Sequence, residues 1–222
     1  MKRKNKFVVF DMDGVLFDTE LLMIRCWEQV AEKYAIPDIV TTCRRCIGIN
    51  RVETNRIFQD RYGTLFDVEK MRQEVDESFE NELNTHGMPQ KPHAESLLRF
   101  LNSAGFHIAL ATSTVSQQAR FELEQANFLQ NFEVIIGGEM VAKSKPAPDI
   151  FLTACQNLGS SPEETYVIED SLNGIRAAYA ANTIPLMVPD LIEPSAEIRS
   201  LCHAVFSDLS EVKNFFKKSI CL

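Results

Sequence analysis

The chain has 222 residues, of which 45% are hydrophobic and 24% are charged, and its formal net charge is −8 at pH 7. This length and composition are typical of a globular protein with a substantial core, built as one large domain or as a core domain with an insertion. The negative charge and the lack of a basic stripe argue against a nucleic-acid partner, and no apolar run approaches the roughly 20 residues that cross a bilayer. The cysteines are scattered and no export signal precedes them, so we expect reduced thiols and a cytoplasmic protein.

The first predicted element is a short buried strand over Phe7–Phe10, which leads directly into Asp11, Met12, Asp13 and Gly14. The pattern then becomes helical, and no convincing strand interrupts it. The helical segments run from Asp18 to Tyr34, over Val52–Tyr62 and over Asp67–Leu83. We therefore expect an all-helical cap domain at residues 19–87, inserted after strand one in a core domain of residues 1–18 and 88–222. An insertion at this point can close over a site as a lid.

From Lys91 onward, predicted strands alternate with predicted helices. The strands cover Phe106–Ala111, Phe132–Ile136, Thr165–Ile168, Ile184–Val188 and Ala204–Phe206, and the helices cover His93–Ser103, Val115–Ala126, Asp149–Leu158 and Ser171–Ala181. Such alternation predicts an α/β fold, in which helices cover both faces of a doubly wound parallel sheet.

Polar side chains lie at or just after the ends of four predicted strands: Asp11, Asp13, Thr112, Lys145, Glu169 and Asp170. Because the carboxyl ends of parallel strands meet at one edge of the sheet, we expect these side chains to gather there. Two carboxylates about 5 Å apart repel by roughly 3 kcal/mol at an effective dielectric of about 20. A hard divalent cation with oxygen ligands removes this repulsion, so the set indicates Mg²⁺.

The same set of groups predicts phosphoryl transfer, in which positioning and charge stabilisation supply most of the catalysis. Asp11 is the candidate nucleophile and Asp13 the candidate acid and base. Thr112 supplies a neutral donor and Lys145 a positive charge. A receiver-type signalling domain also phosphorylates an aspartate and binds Mg²⁺, but the helical insertion and Asp13 argue against that class.

These residues resemble the motifs of the haloacid dehalogenase superfamily, in the subfamily with a helical cap after the first strand. The resembling segments are Asp11-Met12-Asp13-Gly14-Val15, Thr112 after Ile108–Ala111, Lys145 in Ser144–Asp149, and Glu169-Asp170 in Ile168–Gly174. The resemblance implies Mg²⁺ held by Asp11, the Asp13 carbonyl and Asp170, with Glu169 close by and Ser113 beside the substrate. An acid at Asp13 favours a phosphatase or phosphomutase over a dehalogenase.

Within this superfamily the chain is similar to phosphoglycolate phosphatase-like proteins and to β-phosphoglucomutases. Residues 48–51 resemble the mutase segment whose arginine binds a second phosphate, but Met23 and Ile47 stand where the mutases have a histidine and a lysine. We therefore favour hydrolysis of a small phosphorylated metabolite, of the sugar phosphate kind, by a monomer, with a phosphomutase as the alternative. Met23 is a candidate substrate contact, and Arg51 either contacts substrate or pairs with Glu53 or Asp60.

Three other features have ordinary structural interpretations. Trp27 lies at helical spacing with Met23 and Val30, which favours the core of the cap over a substrate contact. Asp18 is a candidate N-cap of the first cap helix. Cys43 and Cys46 form a CxxC pair, but no second ligand pair accompanies them, so we expect neither a metal nor a redox function there.

Overall fold

The computed structural model describes residues 6–47, 51–63 and 66–220, and at residues 51–53 and 220 it describes the backbone alone. The chain divides into two compact units. One unit is formed by Met1–Phe17 together with Gln90–Leu222, and the other is the continuous segment Asp18–Pro89. In the described part of the chain, no helix has both the length and the apolar character that crossing a membrane requires.

The first unit is built on a parallel sheet in the order β3-β2-β1-β4-β5-β6. Its strands are β1 (Phe7–Phe10), β2 (His107–Ala111), β3 (Val134–Ile136), β4 (Thr165–Glu169), β5 (Ile184–Met187) and β6 (Ala204–Val205). The doubly wound α/β fold predicted from the sequence is confirmed. The strand order reverses between β1 and β4, and open sheets of this kind bind their ligands at that reversal.

Four helices form the second unit, within its described residues, and they lie between β1 and β2 in the chain. They are α1 (Thr19–Lys33), α2 (Ile39–Arg45), α3 (Arg51–Tyr62) and α4 (Val68–His86). The sequence predicts α1, α3 and α4 with small differences at their ends. It does not predict α2, because a helix of two turns is too short to show a clear apolar period.

Aromatic side chains fill the interior of the second unit. Trp27 is 7% exposed, and its ring centroid lies 4.9 Å from that of Phe58 in α3. Trp27 therefore belongs to the core of this unit. Asp67 caps α4, since its side chain accepts a hydrogen bond from the backbone N–H of Lys70 at 3.0 Å. Asp18 precedes α1 but makes no capping hydrogen bond, because its φ of −91° and ψ of 46° lie outside the extended region that N-caps adopt.

The described helices of the first unit follow the strands in sequence. They are α5 (Ala94–Ser103), α6 (Ser116–Gln125), α7 (Asp149–Leu158), α8 (Leu172–Ala180), α9 (Ala196–Leu201) and α10 (Leu209–Ile220). The last two were not predicted. In α10 the apolar residues Leu209, Val212 and Phe216 do follow helical spacing, and all three are buried, so its signal was present in the sequence.

Helices cover both faces of the sheet, which explains why its strands are nearly continuous apolar runs. On one face, Val9 and Val167 pack with Phe151 of α7 and Ala177 of α8. The aromatic pair Tyr166 of β4 and Phe216 of α10 packs separately, with ring centroids 5.1 Å apart. Because both faces are covered, the polar residues of the strands are confined to the strand ends.

Candidate active site

The register of the sheet brings the ends of β1 and β4 side by side. Phe10 lies opposite Ile168, and the backbone N–H of Asp11 donates to the carbonyl of Ile168 at 3.0 Å. Asp11 follows Phe10 and Glu169 follows Ile168, so two acids lie next to each other at this edge of the sheet. Asp11 is 7% exposed and Glu169 is fully buried.

Lys145 joins these two acids. Its ammonium donates to Oδ1 of Asp11 and to Oε1 of Glu169, both at 2.6 Å, and to the carbonyl of Ala111 at 3.3 Å. The Lys145 side chain is only 8% exposed. Buried carboxylates require such a partner, since an unpaired buried charge is costly.

Glu169 is also held from its other side. Its Oε2 accepts hydrogen bonds from the backbone N–H of Ser171 at 2.9 Å and from the Ser171 hydroxyl at 3.0 Å. Ser171 in turn caps α8, because its Oγ accepts from the backbone N–H of Gly174 at 3.0 Å. A Cβ on Gly174 would overlap the Glu169 carboxylate, so the close approach of α8 requires glycine at this position.

The loop after β2 lies beside Asp13. The hydroxyl of Thr114 donates to Oδ2 of Asp13 at 3.1 Å, and the backbone N–H of Thr114 donates to Oγ1 of Thr112 at 3.1 Å. Thr112 is 1% exposed, whereas Ser113 is exposed. The loop therefore combines a buried hydroxyl, an exposed hydroxyl and a direct hydrogen bond to the candidate acid and base.

A tight turn over residues 12–17 carries the loop after β1 past Asp170. Gly14 has a φ of 77°, and its backbone N–H donates to the carbonyl of Phe17 at 2.8 Å. A Cβ on Gly14 would overlap the Asp170 carboxylate. Glycine is needed here both for the left-handed backbone and for the approach of Asp170.

Burial and crowding raise the pKa values of the acids at this edge. Burial is the main cause that raises the pKa of Asp11 to about 7, although Lys145 opposes it. Burial also raises the pKa of Asp170, with further contributions from the Glu169 and Asp11 charges. Burial alone would lower the pKa of Lys145, but the two carboxylates it contacts raise it, so Lys145 stays charged. Buried acids with raised pKa values favour the binding of a cation, because its positive charge stabilises their ionised forms.

The arrangement fits a hard divalent cation. One carboxylate oxygen from each of Asp11, Glu169 and Asp170 lies within 4.8 Å of the others. If all four acids, Asp11, Asp13, Glu169 and Asp170, are ionised, they carry −4 against +1 on Lys145, so this state of the site has a charge of −3 and needs a further cation. Oxygen donors and one or two carboxylates are the set that Mg²⁺ prefers. Because Glu169 already uses both its oxygens on Lys145 and Ser171, Asp11 and Asp170 are the better candidate ligands.

The remaining predicted contacts belong to the second unit. Met23 is half-buried in α1. Residues 48–50 lie outside the described residues, and of Arg51 only the backbone, at the start of α3, is described. Asp60, one predicted partner of Arg51, lies 3.8 Å from Arg56 in a solvent-exposed ion pair.

Two residues at the site were not singled out from the sequence. They are Thr114, in the loop after β2, and Ser171, at the start of α8. Both are hydroxyl residues within two positions of a predicted site residue, Thr112 and Glu169 respectively. For Ser171 a local signal was available, since hydroxyl side chains often bond to groups two residues away, as Ser171 does to Glu169. The hydroxyl of Thr114 bonds to Asp13, 101 positions away, so no local pattern indicates it.

Comparison with known proteins agrees with this geometry. The haloacid dehalogenase-like hydrolase family matches residues 8–188. A phosphorylated carbohydrates phosphatase of Thermotoga maritima is 33% identical over 174 residues, which are 78% of this chain and 80% of that protein. A β-phosphoglucomutase of Bacillus subtilis is 31% identical over 182 residues, which are 79% of this chain and 80% of that protein.

A solved structure shares the fold. The crystal structure of a haloacid dehalogenase family hydrolase from Deinococcus radiodurans, with bound phosphate and sodium, superposes with a TM-score of 0.84. It covers 98% of this chain and 97% of that chain at 22% identity. From the family match, the two relatives and the strand-end acids, we conclude that the chain belongs to the haloacid dehalogenase-like hydrolase family and is an enzyme of the phosphatase type, a phosphoric monoester hydrolase.

Proposed function

We propose that the protein is a Mg²⁺-dependent phosphatase that hydrolyses a small sugar phosphate through an aspartyl-phosphate on Asp11. The observation that carries this proposal is the convergence of Asp11, Lys145, Glu169 and Asp170 at the strand-order reversal of the sheet. The name of the Thermotoga maritima relative, a phosphorylated carbohydrates phosphatase, supports the substrate class.

Asp11 and Asp170 are the carboxylates that would hold Mg²⁺, and the backbone carbonyl of Asp13 is a further candidate ligand. When bound, the cation supplies positive charge to the acids and to the oxygens of a phosphoryl group. Lys145 contributes a second, permanent positive charge 2.6 Å from the nucleophile. The buried Thr112 hydroxyl is a neutral donor for a phosphoryl oxygen.

In the first step, an oxygen of Asp11 attacks phosphorus and a new O–P bond forms. The bond between phosphorus and the ester oxygen breaks, and the leaving alkoxide takes a proton from Asp13. Thr114 orients Asp13 for this transfer through its hydrogen bond at 3.1 Å. The products of the step are an alcohol and the aspartyl-phosphate.

In the second step, the Asp13 carboxylate takes a proton from water. The water oxygen attacks phosphorus, the bond between phosphorus and Asp11 breaks, and inorganic phosphate leaves. Asp13 ends protonated and Asp11 ends as a carboxylate, so the enzyme returns to its starting state.

An open depression at the start of α6 is a candidate site for the leaving group. It has a volume of about 500 Å³ and is lined by Val115, Gln117, Gln118 and Phe121. Val115 directly follows Thr114, whose hydroxyl contacts Asp13. The volume is in the range of small-molecule sites, and all four lining side chains are uncharged. A lining without charged groups favours an uncharged leaving group over one that carries a second phosphate.

We further propose that the helical unit, Asp18–Pro89, acts as the cap that selects the substrate, with Met23 and Arg51 as candidate contacts. Its place in the chain, between β1 and β2, supports this role. Replacement of Arg51 by alanine should change the order of preference among phosphorylated sugars and leave hydrolysis of a generic aryl phosphate largely unaffected.

The test is release of inorganic phosphate from p-nitrophenyl phosphate and from a panel of sugar phosphates. We expect turnover with Mg²⁺, its loss with a chelator and its recovery when Mg²⁺ is restored. Asp11→Asn should lower turnover by about 10³-fold or more, because a carboxamide cannot form the acyl phosphate. The proposal is wrong if Asp11→Asn retains wild-type activity or if no phosphate ester is hydrolysed in the presence of Mg²⁺.

The identity of 31% to a β-phosphoglucomutase supports phosphomutase activity as a second candidate. A mutase moves phosphate between positions of a sugar and requires a sugar bisphosphate to prime Asp11. Phosphorus NMR of the products separates the two candidates. Inorganic phosphate as the main product supports the phosphatase, and accumulation of an isomeric sugar phosphate without phosphate release supports the mutase.

A further inference from the structure

One buried acid beside the site has no role in the mechanism above. Asp190 lies in the loop after β5, and its side chain is 7% exposed. Its Oδ1 accepts a hydrogen bond from the ammonium of Lys91 at 2.5 Å. Its Oδ2 is buried and has no hydrogen-bond partner within the described parts of the chain.

The pairing of β4 with β5 places Asp190 near Asp170. Glu169 lies opposite Met187, and the backbone N–H of Val188 donates to the carbonyl of Glu169 at 2.8 Å. The segments that follow β4 and β5 therefore leave the sheet side by side. Asp170 lies on the first segment and Asp190 on the second. The charge of Asp190 is among the causes that raise the pKa of Asp170, which is consistent with this proximity.

A buried carboxylate oxygen without a donor costs about 1–3 kcal/mol or more. Among the described residues, Lys91 satisfies only one of the two Asp190 oxygens, so the second needs a further donor. Mg²⁺ in enzymes usually keeps several of its waters, and these waters are polarised hydrogen-bond donors. A water on a cation held by Asp11 and Asp170 is a donor of the required kind at this edge of the sheet.

We propose that Asp190 is a positioning residue that accepts, through Oδ2, a hydrogen bond from a water bound to the cation at Asp11 and Asp170. This inference rests on the Mg²⁺ dependence in the proposed function. Lys91 holds Oδ1 and thereby fixes the direction of Oδ2. Outer-shell partners of this kind typically change metal affinity by about 10–100-fold.

The test is calorimetric titration of the metal-free protein with Mg²⁺, which needs no turnover. In Asp190→Asn the amide oxygen stays on Lys91, so an NH₂ group, which cannot accept, replaces Oδ2. We expect the Kd for Mg²⁺ to rise about 10–100-fold. Glu193→Gln is the matched control, because it removes one negative charge from the same loop at a side chain that is 84% exposed and pairs with Arg199. Its Kd should equal that of the wild type.

A double variant, Lys91→Met with Asp190→Leu, removes both charges of the pair, leaves the net charge unchanged and has no acceptor at position 190 in any side-chain orientation. If the hydrogen bond matters, the double variant should bind Mg²⁺ as weakly as Asp190→Asn. If it binds like the wild type, the single variant acts only through net charge and the inference is overturned. The double variant leaves no unpaired Lys91 charge, so its Kd for Mg²⁺ can still be measured if the single variant does not fold.

The two proposals fail in different ways. A wild-type protein that does not bind Mg²⁺ contradicts the proposed function. A wild-type protein that binds Mg²⁺, together with Asp190→Asn of the same affinity, leaves the proposed function standing and overturns the role of Asp190.

Discussion

The ammonium of Lys145 lies 2.6 Å from Oδ1 of Asp11, although the two residues are 134 positions apart in the chain. The same nitrogen lies 2.6 Å from Oε1 of Glu169. One cation therefore joins the ends of β1 and β4, the two strands at which the order of the sheet reverses. This contact stabilises the fold, because the ammonium of Lys145 offsets the cost of burying two carboxyl groups.

Replacement of Lys145 by methionine should destabilise the metal-free protein by about 3–5 kcal/mol, because it leaves the buried carboxyl groups of Asp11 and Glu169 without the ammonium that they share. The measurement is urea unfolding in the presence of a chelator. Lys143→Met is the matched control, since Lys143 lies in the same loop but is exposed, and its free energy of unfolding should change by less than about 0.5 kcal/mol. Equal stability of the two variants would contradict the buried ion pair.

Replacement of Thr114 by valine should impair Asp13 selectively, because Asp13 loses the hydroxyl that orients it. We expect kcat for an alkyl phosphate such as glucose 6-phosphate to fall by about tenfold. For p-nitrophenyl phosphate the fall should be smaller, since nitrophenolate leaves without a proton. Thr114→Ser should restore both rates. Equal losses for the two substrates would indicate a general structural defect.

The stability of the metal-free protein should decrease as the pH rises from about 4 to about 7. Folding raises the pKa of Asp11 from 3.8 to about 7, mainly through burial. Between these values the folded chain keeps a proton that the unfolded chain has lost, so each pH unit costs up to about 1.4 kcal/mol. Thermal unfolding in a chelator should show a midpoint that falls by about 3–5 °C per pH unit in this window.

Asp11→Asn is the control for this pH dependence, because its amide does not titrate. The thermal unfolding midpoint of the variant should depend less on pH between pH 4 and pH 7. The remaining dependence is due to Asp170, whose pKa is also raised. A wild-type midpoint that rises with pH across this window would contradict the raised pKa of Asp11.

Replacement of Gly174 by alanine should destabilise the protein, although alanine usually stabilises a helix by about 1 kcal/mol relative to glycine. The new Cβ would overlap the Glu169 carboxylate, and overpacking of this kind typically costs about 1–3 kcal/mol. Urea unfolding measures the net effect. A more stable Gly174→Ala variant would show that the Glu169 side chain is free to move aside.

Much of the fold is predictable because it depends on local pattern. The apolar run Phe7–Phe10 and the alternation of strands with helices after Lys91 indicate the parallel sheet before any contact is known. The short helices α2 and α9 are missed because two turns are too few to show a period, and α10 is missed despite a clear apolar spacing.

The sequence by itself determines which chemical groups the protein has at its strand ends, because buried parallel strands tolerate polar residues only where they leave the sheet. It therefore indicates two acids after β1, an acidic pair at the end of β4 and the class of reaction. Only the tertiary structure decides which of these groups touch, since strand order and register are long-range properties. The contact of Lys145 with both acids and the hydroxyl of Thr114 on Asp13 depend on neighbours that are far away in the chain. The same holds for the burial of the Asp190 oxygen that has no partner among the described residues.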